Sequence, residues 1–415
     1  MADPAKVLFR NASYDGQLVR TLAAAMAGSA DLGEALATAR RIGKPNGTAW
    51  YDAWSRTADQ ARQTAEQARA SGERASVRHG FLRASEYYRQ AFYYLRSDLD
   101  DRRLQDAYHA HVDTFRAATA LMNHPAEAVR IPYDTTTLNG YLFAPDGPAE
   151  ARPTVIFPCG YDSTAEAGWA NVPAAVERGY NALVFEGPGQ GEALYTQRLF
   201  LRPDFEHVLT PVLDWLLTRP EVHPDALVLV GRSFGGYLAP RGACFDHRLA
   251  ALVCDPAQPD MGARIPSGLT GQIAAPVVKA QMRMSADRAE FFGARMAAHG
   301  LDTIGKYFTE LRRFNMLRHA PQITCPTLII EAEHDFAGGG GQTLIDALTV
   351  PSQLVRLTEH QGADGHCGGL GQEIWSEVVY HWLRNTLQRQ SDGTWPVVSE
   401  TNTDANRDQS YAGNS

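Results

Sequence analysis

The sequence predicts an α/β domain built on a mostly parallel eight-stranded sheet, preceded by an all-helical region. Three observations carry that prediction. From about Asp15 to Asn123 there is almost no β-strand signal, and Ala, Gln, Glu and Arg, all good helix formers, dominate. From about Glu127 short β-rich runs alternate with helical stretches, the rhythm of right-handed β-α-β crossovers. Within that part, the fourth to seventh β-rich runs are nearly continuous in apolar residues, as in strands buried on both faces of a parallel sheet.

In chain order, the helical region contains TADQARQTAEQARAS and HGFLRASEYYRQAFYYLRS. In the second, Phe81, Ala84, Tyr88, Phe92 and Leu95 recur at three- and four-residue steps, one apolar helical stripe expected to pack on neighbouring helices. Tyr87, Tyr88, Tyr93 and Tyr94 exceed what packing needs, so one or two are expected to face a ligand, with Tyr88 and Tyr94 as candidates. The β-rich runs are AVRIPYD, LNGYLFAP, PTVIFPCG, YNALVFEG, ALVLVG, LAALVCD, PTLIIEAEHD and SQLVRLTEH. The first two alternate apolar and polar residues and suit an antiparallel pair at one edge. From about Pro256 to Pro321 two further helical stretches separate the sixth and seventh runs, an insertion far longer than an ordinary connection. The expected organisation is a helical cap over 1–125, an α/β domain over 126–390 with a helical insertion at about 256–321, and a polar tail over 391–415. The tail is expected to be mobile or to lie on a neighbour.

The 415 residues are 44% hydrophobic and 21% charged, enough apolar material for a sizeable core. A net charge of −8 argues against nucleic acid or an anionic membrane as partner, since both favour a basic face. The opening MADPAKVLFRNASYDG has no apolar core, so no secretory signal is expected, and no apolar run reaches the ~18 residues of a transmembrane helix. Cys159, Cys244, Cys254, Cys325 and Cys367 are scattered and odd in number, which fits reduced thiols and a cytoplasmic location.

Gly231-Arg232-Ser233-Phe234-Gly235 falls where the run ALVLVG gives way to the start of a helix. G-x-S-x-G at a strand-to-helix turn is the nucleophile elbow of the α/β-hydrolase fold. The sharp turn strains the serine backbone and exposes its Oγ at the carboxyl edge of the sheet. Side chains at the flanking glycines are expected to collide with neighbouring backbone. The helix start also aims free N–H groups at any negative charge forming there. A serine nucleophile needs a base held by an acid, and this fold orders them Ser, acid, His along the chain. Asp335 at the end of TLIIEAEHD and His366 in EHQGADGHCGG satisfy that order. His360 is the competing base, although it sits closer to its strand end, and Asp255 after the sixth run is the competing acid. The loop FPCGYDST follows the third run, where this fold supplies an oxyanion donor, so the backbone N–H groups of Tyr161 and Phe234 are assigned that role.

Other patterns read as structural. FEGPGQGEA is a glycine-rich turn whose spacing does not match G-x-G-x-x-G, and AGGGGQT at Ala337–Thr343 lacks the lysine of a phosphate loop. His109 and His111 have no companion ligands in a metal pattern. Cys367, beside His366, reads as a small buried neighbour. No cofactor and no metal is expected.

The motifs SEYYRQAFYYLR, GYDSTAEA, EGPGQGE, GRSFGGYLAPRGA and DGHC together resemble the group of hydrolases that includes 2,6-dihydroxypseudooxynicotine hydrolase and fungal enzymes that shorten polyketide chains. The resemblance runs over roughly residues 15 to 390. It implies a substrate enclosed between two domains and cleavage of a carbon–carbon bond between a carbonyl and an activated carbon. It also implies Ser233 as nucleophile, Asp335 as acid, His366 as base, and Tyr161 and Phe234 as oxyanion donors. The expected substrate is a hydrophobic aromatic or polyketide-like small molecule. Asp162, Tyr161 or a tyrosine of the N-terminal helices is expected to serve the leaving carbon, and Asp162 could instead cap its own loop. Ester or lactone hydrolysis, acyl transfer or cyclisation through an acyl-enzyme, and a non-catalytic binding protein are the alternatives. The resemblance also leaves a homodimer open.

Overall fold

The computed structural model describes residues 6–124, 126–147, 150–266 and 268–391. From residue 392 on, the polar tail lies outside the described residues. Five helices open the chain: α1 (Ala12–Ala24), α2 (Leu32–Ile42), α3 (Gly47–Ala70), α4 (Arg74–Phe92) and α5 (Arg102–Thr119). Asn11, Asp31, Asn46 and Asp101 start four of them by accepting N–H groups that a first helical turn leaves unpaired. Helices α3 and α4 lie close together, and a Cβ on Gly80 would come within 2.8 Å of Ala65 Cβ. The stripe Phe81, Ala84, Tyr88, Phe92 and Leu95 is buried, but so are Ser85, Glu86, Arg89 and Gln90 between its members, so this stretch of α4 is enclosed on all faces and not along one stripe.

Eight strands follow: β1 (Ala126–Tyr133), β2 (Thr136–Phe143), β3 (Arg152–Pro158), β4 (Asn181–Phe185), β5 (Val222–Arg232), β6 (Leu249–Asp255), β7 (Thr327–Ala332) and β8 (Ser352–Leu357). They form one sheet in the order β1-β2-β4-β3-β5-β6-β7-β8. β1 pairs antiparallel with β2 at one edge, β2 pairs antiparallel with β4, and the remaining neighbours are parallel. Every residue of β4 and β6 is buried, which accounts for their nearly continuous apolar sequence, interrupted only by Asn181 and Asp255 at the strand ends.

Helices α6 (Val172–Glu177), α7 (Gly191–Tyr195), α8 (Glu206–Leu216) and α9 (Gly235–Ala243) lie between strands. The interval between β6 and β7 carries α10 (Gly268–Met284), α11 (Ala286–Ala298) and α12 (Ile304–Leu311), with a small core of Ile265, Ile304, Tyr307 and Leu311. Helices α13 (Gly341–Ala347) and α14 (Gln372–Ser391) complete the chain. Among the described residues no helix is long and apolar enough to cross a membrane.

Two glycine-rich runs prove to be satisfied by internal carboxylates. In FEGPGQGEA, Glu186 accepts from the N–H groups of Ala165 at 2.9 Å and Glu192 at 2.8 Å. Burial, with the charge of Glu166 beside it, pushes Glu186 up to about 8. In AGGGGQT, Glu331 Oε1 accepts from Gly339 at 3.0 Å and Gly341 at 2.7 Å, taking the place an anion would need.

The turn from β5 to α9 holds Ser233 at a φ of 56°. The sequence reading requires glycine on both flanks of G-x-S-x-G, and the structure moves one of these requirements. A Cβ on Gly231 would lie 2.0 Å from the Gly235 carbonyl oxygen, and one on Gly236 would lie 1.8 Å from the Pro256 carbonyl oxygen. A Cβ on Gly235 would meet only the Pro158 carbonyl oxygen, at 3.8 Å. The close approach therefore binds Gly231 and Gly236, while Gly235 has room. Gly231→Ala and Gly236→Ala are each expected to destabilise by about 3 kcal/mol or more, because backbone must move. Gly235→Ala, at the start of α9, is expected to leave the thermal midpoint unchanged or slightly raised. Thermal unfolding of the three variants checks this, and equal losses at all three positions would contradict it.

Candidate active site

Three loops at the carboxyl ends of parallel strands bring Ser233, Asp335 and His366 together. His366 Nε2 lies 2.8 Å from Ser233 Oγ, and His366 Nδ1 lies 2.7 Å from Asp335 Oδ1. The Asp335 side chain is fully buried, whereas that of His366 is 31% exposed. Asp335 is held in turn by the N–H of Ala337 at 2.8 Å and that of Cys367 at 3.1 Å. This chain of contacts fixes the imidazole with one nitrogen facing the hydroxyl, the arrangement needed to accept its proton.

Burial disfavours a charge on His366, but Cys367 and Asp335 outweigh it and hold the ring well above the usual imidazole range. Burial also pushes the Cys367 thiol up, with the charges of His366 and Arg232 opposing that shift.

Neither competing residue has a place in the Ser233–His366–Asp335 chain of contacts. His360 is exposed. Asp255 is buried and paired with Arg232 Nε at 3.1 Å, and its backbone oxygen accepts from the Ser233 N–H at 2.7 Å. Arg232 also donates to Asn171 at 2.7 Å and to the Cys367 carbonyl at 2.6 Å.

The loop after β3 closes against the elbow. A Cβ on Gly160 would lie 3.3 Å from Ser233 Cβ and 3.6 Å from the Phe234 nitrogen. Among the described residues, the N–H groups of Tyr161 and Phe234 donate to no backbone carbonyl. Their ring centroids lie 4.2 Å apart, with the planes tilted by 42°.

Residues 154–370 match the model of the Alpha/beta hydrolase family. The chain belongs to that family. Hydrolase acrC of Aspergillus aculeatus is 32% identical over 401 residues, covering 88% of this chain and 93% of the relative. The 20-hydroxy-prefusarin hydrolase FUS2 of Gibberella moniliformis is 30% identical over 417 residues, covering 93% and 99%. The crystal structure of 2,6-dihydroxy-pseudo-oxynicotine hydrolase shares the fold, with a TM-score of 0.71 at 23% identity, covering 88% of this chain and 95% of that one. The grouping read from the sequence therefore stands, and the protein is a hydrolase.

Around the loop after β3 this hydrolase carries a charge cluster that its sequence does not announce. Asp162 accepts from Arg96 at 2.6 Å and from Tyr93 Oη at 3.1 Å, and Arg295 lies 3.9 Å away. Arg20 donates to the Asp162 carbonyl at 3.2 Å. Burial opposes ionisation of Asp162, but Arg96 and Arg295 prevail and hold it well below the usual carboxylate range. Burial lowers Arg20 to about 10, which leaves it charged at neutral pH. Asp162 is thus an ionised anchor for its loop, with its acceptors occupied.

The tyrosines sort differently from expectation. Tyr88 donates to Asp59 on α3 at 2.6 Å, and Tyr94 pairs with Ser13 on α1 at 2.9 Å, so neither hydroxyl is brought to Ser233. Tyr93 is the one that reaches the loop after β3. His111 is buried against Ser85 and Thr164, and His109 is exposed. The small cavity lined by Arg20, Glu86, Arg89, His111 and Glu166 holds about 40 Å³, room for a few waters.

Sequence reasoning also missed the second layer supplied by the insertion. The Tyr161 hydroxyl contacts His299 Nε2 and lies 3.5 Å from the Tyr307 hydroxyl. Burial and the neighbouring Arg295 charge lower His299 to about 3, so its ring is neutral.

Two outcomes are expected. Labelling of Ser233 by a fluorophosphonate should rise with pH through an inflection above 6.5, because protonated His366 cannot take the serine proton. An inflection below that value in the wild type would contradict the assignment. Arg96→Met should destabilise by about 3 kcal/mol, as the buried Asp162 carboxylate loses its main partner. Chemical denaturation measures that cost.

Proposed function

We propose that this hydrolase works through an acyl-enzyme on Ser233 and cleaves a carbon–carbon bond next to a carbonyl in a hydrophobic aromatic or polyketide-like small molecule. The observation that carries the reading is the continuous chain from Ser233 Oγ through His366 to buried Asp335, at 2.8 and 2.7 Å. As Oγ adds to the carbonyl carbon, His366 Nε2 takes its proton and the carbonyl π pair moves to oxygen. That oxyanion accepts hydrogen bonds from the Tyr161 and Phe234 N–H groups. The tetrahedral intermediate collapses, the bond to the leaving group breaks, and His366 returns the proton to that group. Water, deprotonated by His366, then attacks the acyl-serine, and Ser233 leaves with its proton restored. Asp335 keeps the ring in register and balances the imidazolium charge.

Carbon–carbon cleavage needs a leaving carbon whose charge is spread into a ring, an enone or a second carbonyl. The Tyr161 hydroxyl, held by His299, is a protonated donor suited to that acceptor, since burial keeps its pKa well above the ordinary phenol value. Asp162 is ionised and occupied by guanidinium groups, so its part is to hold the loop. Apolar walls support a hydrophobic substrate: Phe336 is 68% exposed and lies 4.5 Å from the His366 ring. Fungal relatives are named as hydrolases, one of them for 20-hydroxy-prefusarin. Acyl transfer or cyclisation follows the same first half and differs only in which nucleophile meets the acyl-enzyme.

Mass-spectrometric turnover of aryl β-diketones, aryl ketones, esters and lactones tests the reading, with Ser233→Ala as control. Serine-dependent cleavage of a diketone or aryl ketone is expected, with the variant slower by about 10³-fold or more. Wild-type rates in the variant would sink the nucleophile assignment. Turnover of esters alone would sink the carbon–carbon claim.

A further inference from the structure

Cys367 takes no part in the proton transfers, yet its side chain is aimed at them. Its Sγ lies 3.7 Å from His366 Nε2, the nitrogen that faces Ser233. Its backbone adopts a φ of 53°, a left-handed conformation that a side-chain-bearing residue rarely enters without a local reason. Packing alone does not call for that conformation beside the base.

We infer that His366 Nε2 and Cys367 Sγ form a binding site for a thiophilic divalent cation such as Zn²⁺, which switches the hydrolase off reversibly. Zinc binds imidazole nitrogen at 2.0–2.1 Å and thiolate sulfur at 2.3 Å, so tetrahedral coordination sets the two ligands about 3.6 Å apart. The observed 3.7 Å matches that spacing. The outer shell is also in place. A metal-bound histidine ordinarily donates its other ring N–H to a carboxylate, and His366 Nδ1 already faces Asp335 at 2.7 Å. Among the described residues, Asp335, His366 and Cys367 are the only such cluster with ligand-forming atoms this close.

Binding replaces the thiol proton, which is released to solvent, and Cys367 gives up its contact to the Asp255 carbonyl at 3.4 Å. Ser233 Oγ, at 2.8 Å from Nε2, sits closer than two ligands of one tetrahedral zinc, which lie about 3.3 Å apart. The hydroxyl is therefore pushed out of its hydrogen bond, whether it joins the metal or yields to water. The base has then lost its lone pair to the metal and the nucleophile its base. The partly exposed His366 face offers the ion its way in.

Two readouts test this on the full chain. Co²⁺ serves as the spectroscopic probe, because only thiolate ligation gives a sulfur-to-cobalt charge-transfer band. The fluorophosphonate rate on Ser233, with and without Zn²⁺, reports the switch and rests on the proposed nucleophile. The wild type should bind one Co²⁺ with that band, Zn²⁺ should displace it, and Zn²⁺ should slow labelling at least tenfold, reversed by a chelator. Cys367→Ala should lose the band, and its labelling, compared with its own metal-free rate, should be insensitive to Zn²⁺. Ser233→Ala should keep the band and His366→Asn should lose it, which keeps the test open if the cysteine variant fails to fold. No band in the wild type, or equal Zn²⁺ protection in Cys367→Ala, overturns the inference. A band without any serine labelling would instead overturn the proposed nucleophile and leave the metal site standing.

Discussion

Ser233 keeps its φ of 56° because its neighbours leave it no alternative, and the site is built outward from that constraint. Its N–H is taken by Asp255, and its carbonyl accepts from Gly236 at 2.9 Å and from Gln258 at 2.6 Å. Gly231 and Gly236 let backbone pass where any Cβ would overlap a carbonyl oxygen. A left-handed serine costs roughly 1–2 kcal/mol, and these bonds offset it. The result is a hydroxyl carried on strand and helix, so its position is as rigid as the sheet.

A second constraint comes from charge. Arg20 and Arg96 of the N-terminal helical region and Arg295 of the insertion converge on Asp162. Burying such charges costs several kcal/mol in desolvation, and the gain from pairing does little more than repay it. The cluster is therefore weak as a source of net stability and strong as a positional device. None of the three segments can shift without leaving a buried charge unpaired. Tyr161, next in the chain to Asp162, inherits that fixity, and its hydroxyl is further tied to His299 from the insertion.

What was legible in the sequence was what is encoded at short range. The eight strands and the elbow each follow from a local pattern of a few residues, and the order Ser233, Asp335, His366 follows from the order this fold gives those residue types. The partners of Asp162 do not, since Arg96 lies 66 residues away and Arg20 142 residues away. The tyrosines failed for a different reason. Helical spacing assigns faces only while the helix keeps its pitch, and α4 tightens into a 3₁₀ turn at Tyr93, with Tyr94 leaving helical geometry at φ −96° and ψ 27°. The phase read from Phe81 to Phe92 no longer applies at Tyr93 and Tyr94, and Tyr93 reaches Asp162, whereas Tyr88 lies in the regular part of α4 and is taken up by Asp59 on α3. The elbow glycines show the same limit at smaller scale. The motif names Gly235, but the carbonyl that excludes a side chain belongs to Pro256 and bears on Gly236.

Arg232 decides whether the Ser233–His366 distance is a property of the fold or of a loop. It occupies an unspecified position of G-x-S-x-G, yet its guanidinium pairs with Asp255 at the end of β6, Asn171 beyond β3, and the Cys367 carbonyl in the His366 loop. It also lies over the Trp375 ring, 4.3 Å from its centroid, which packs the flat cation on one face while its edges donate. Five donors in one plane can serve three separate acceptors, whereas a lysine offers one flexible point charge. The loop carrying His366 is thereby fastened to the residue preceding Ser233. Because Ser233 follows Arg232 in the chain and the His366 loop is bonded to the Arg232 guanidinium, a movement of either strand end carries Ser233 and His366 together.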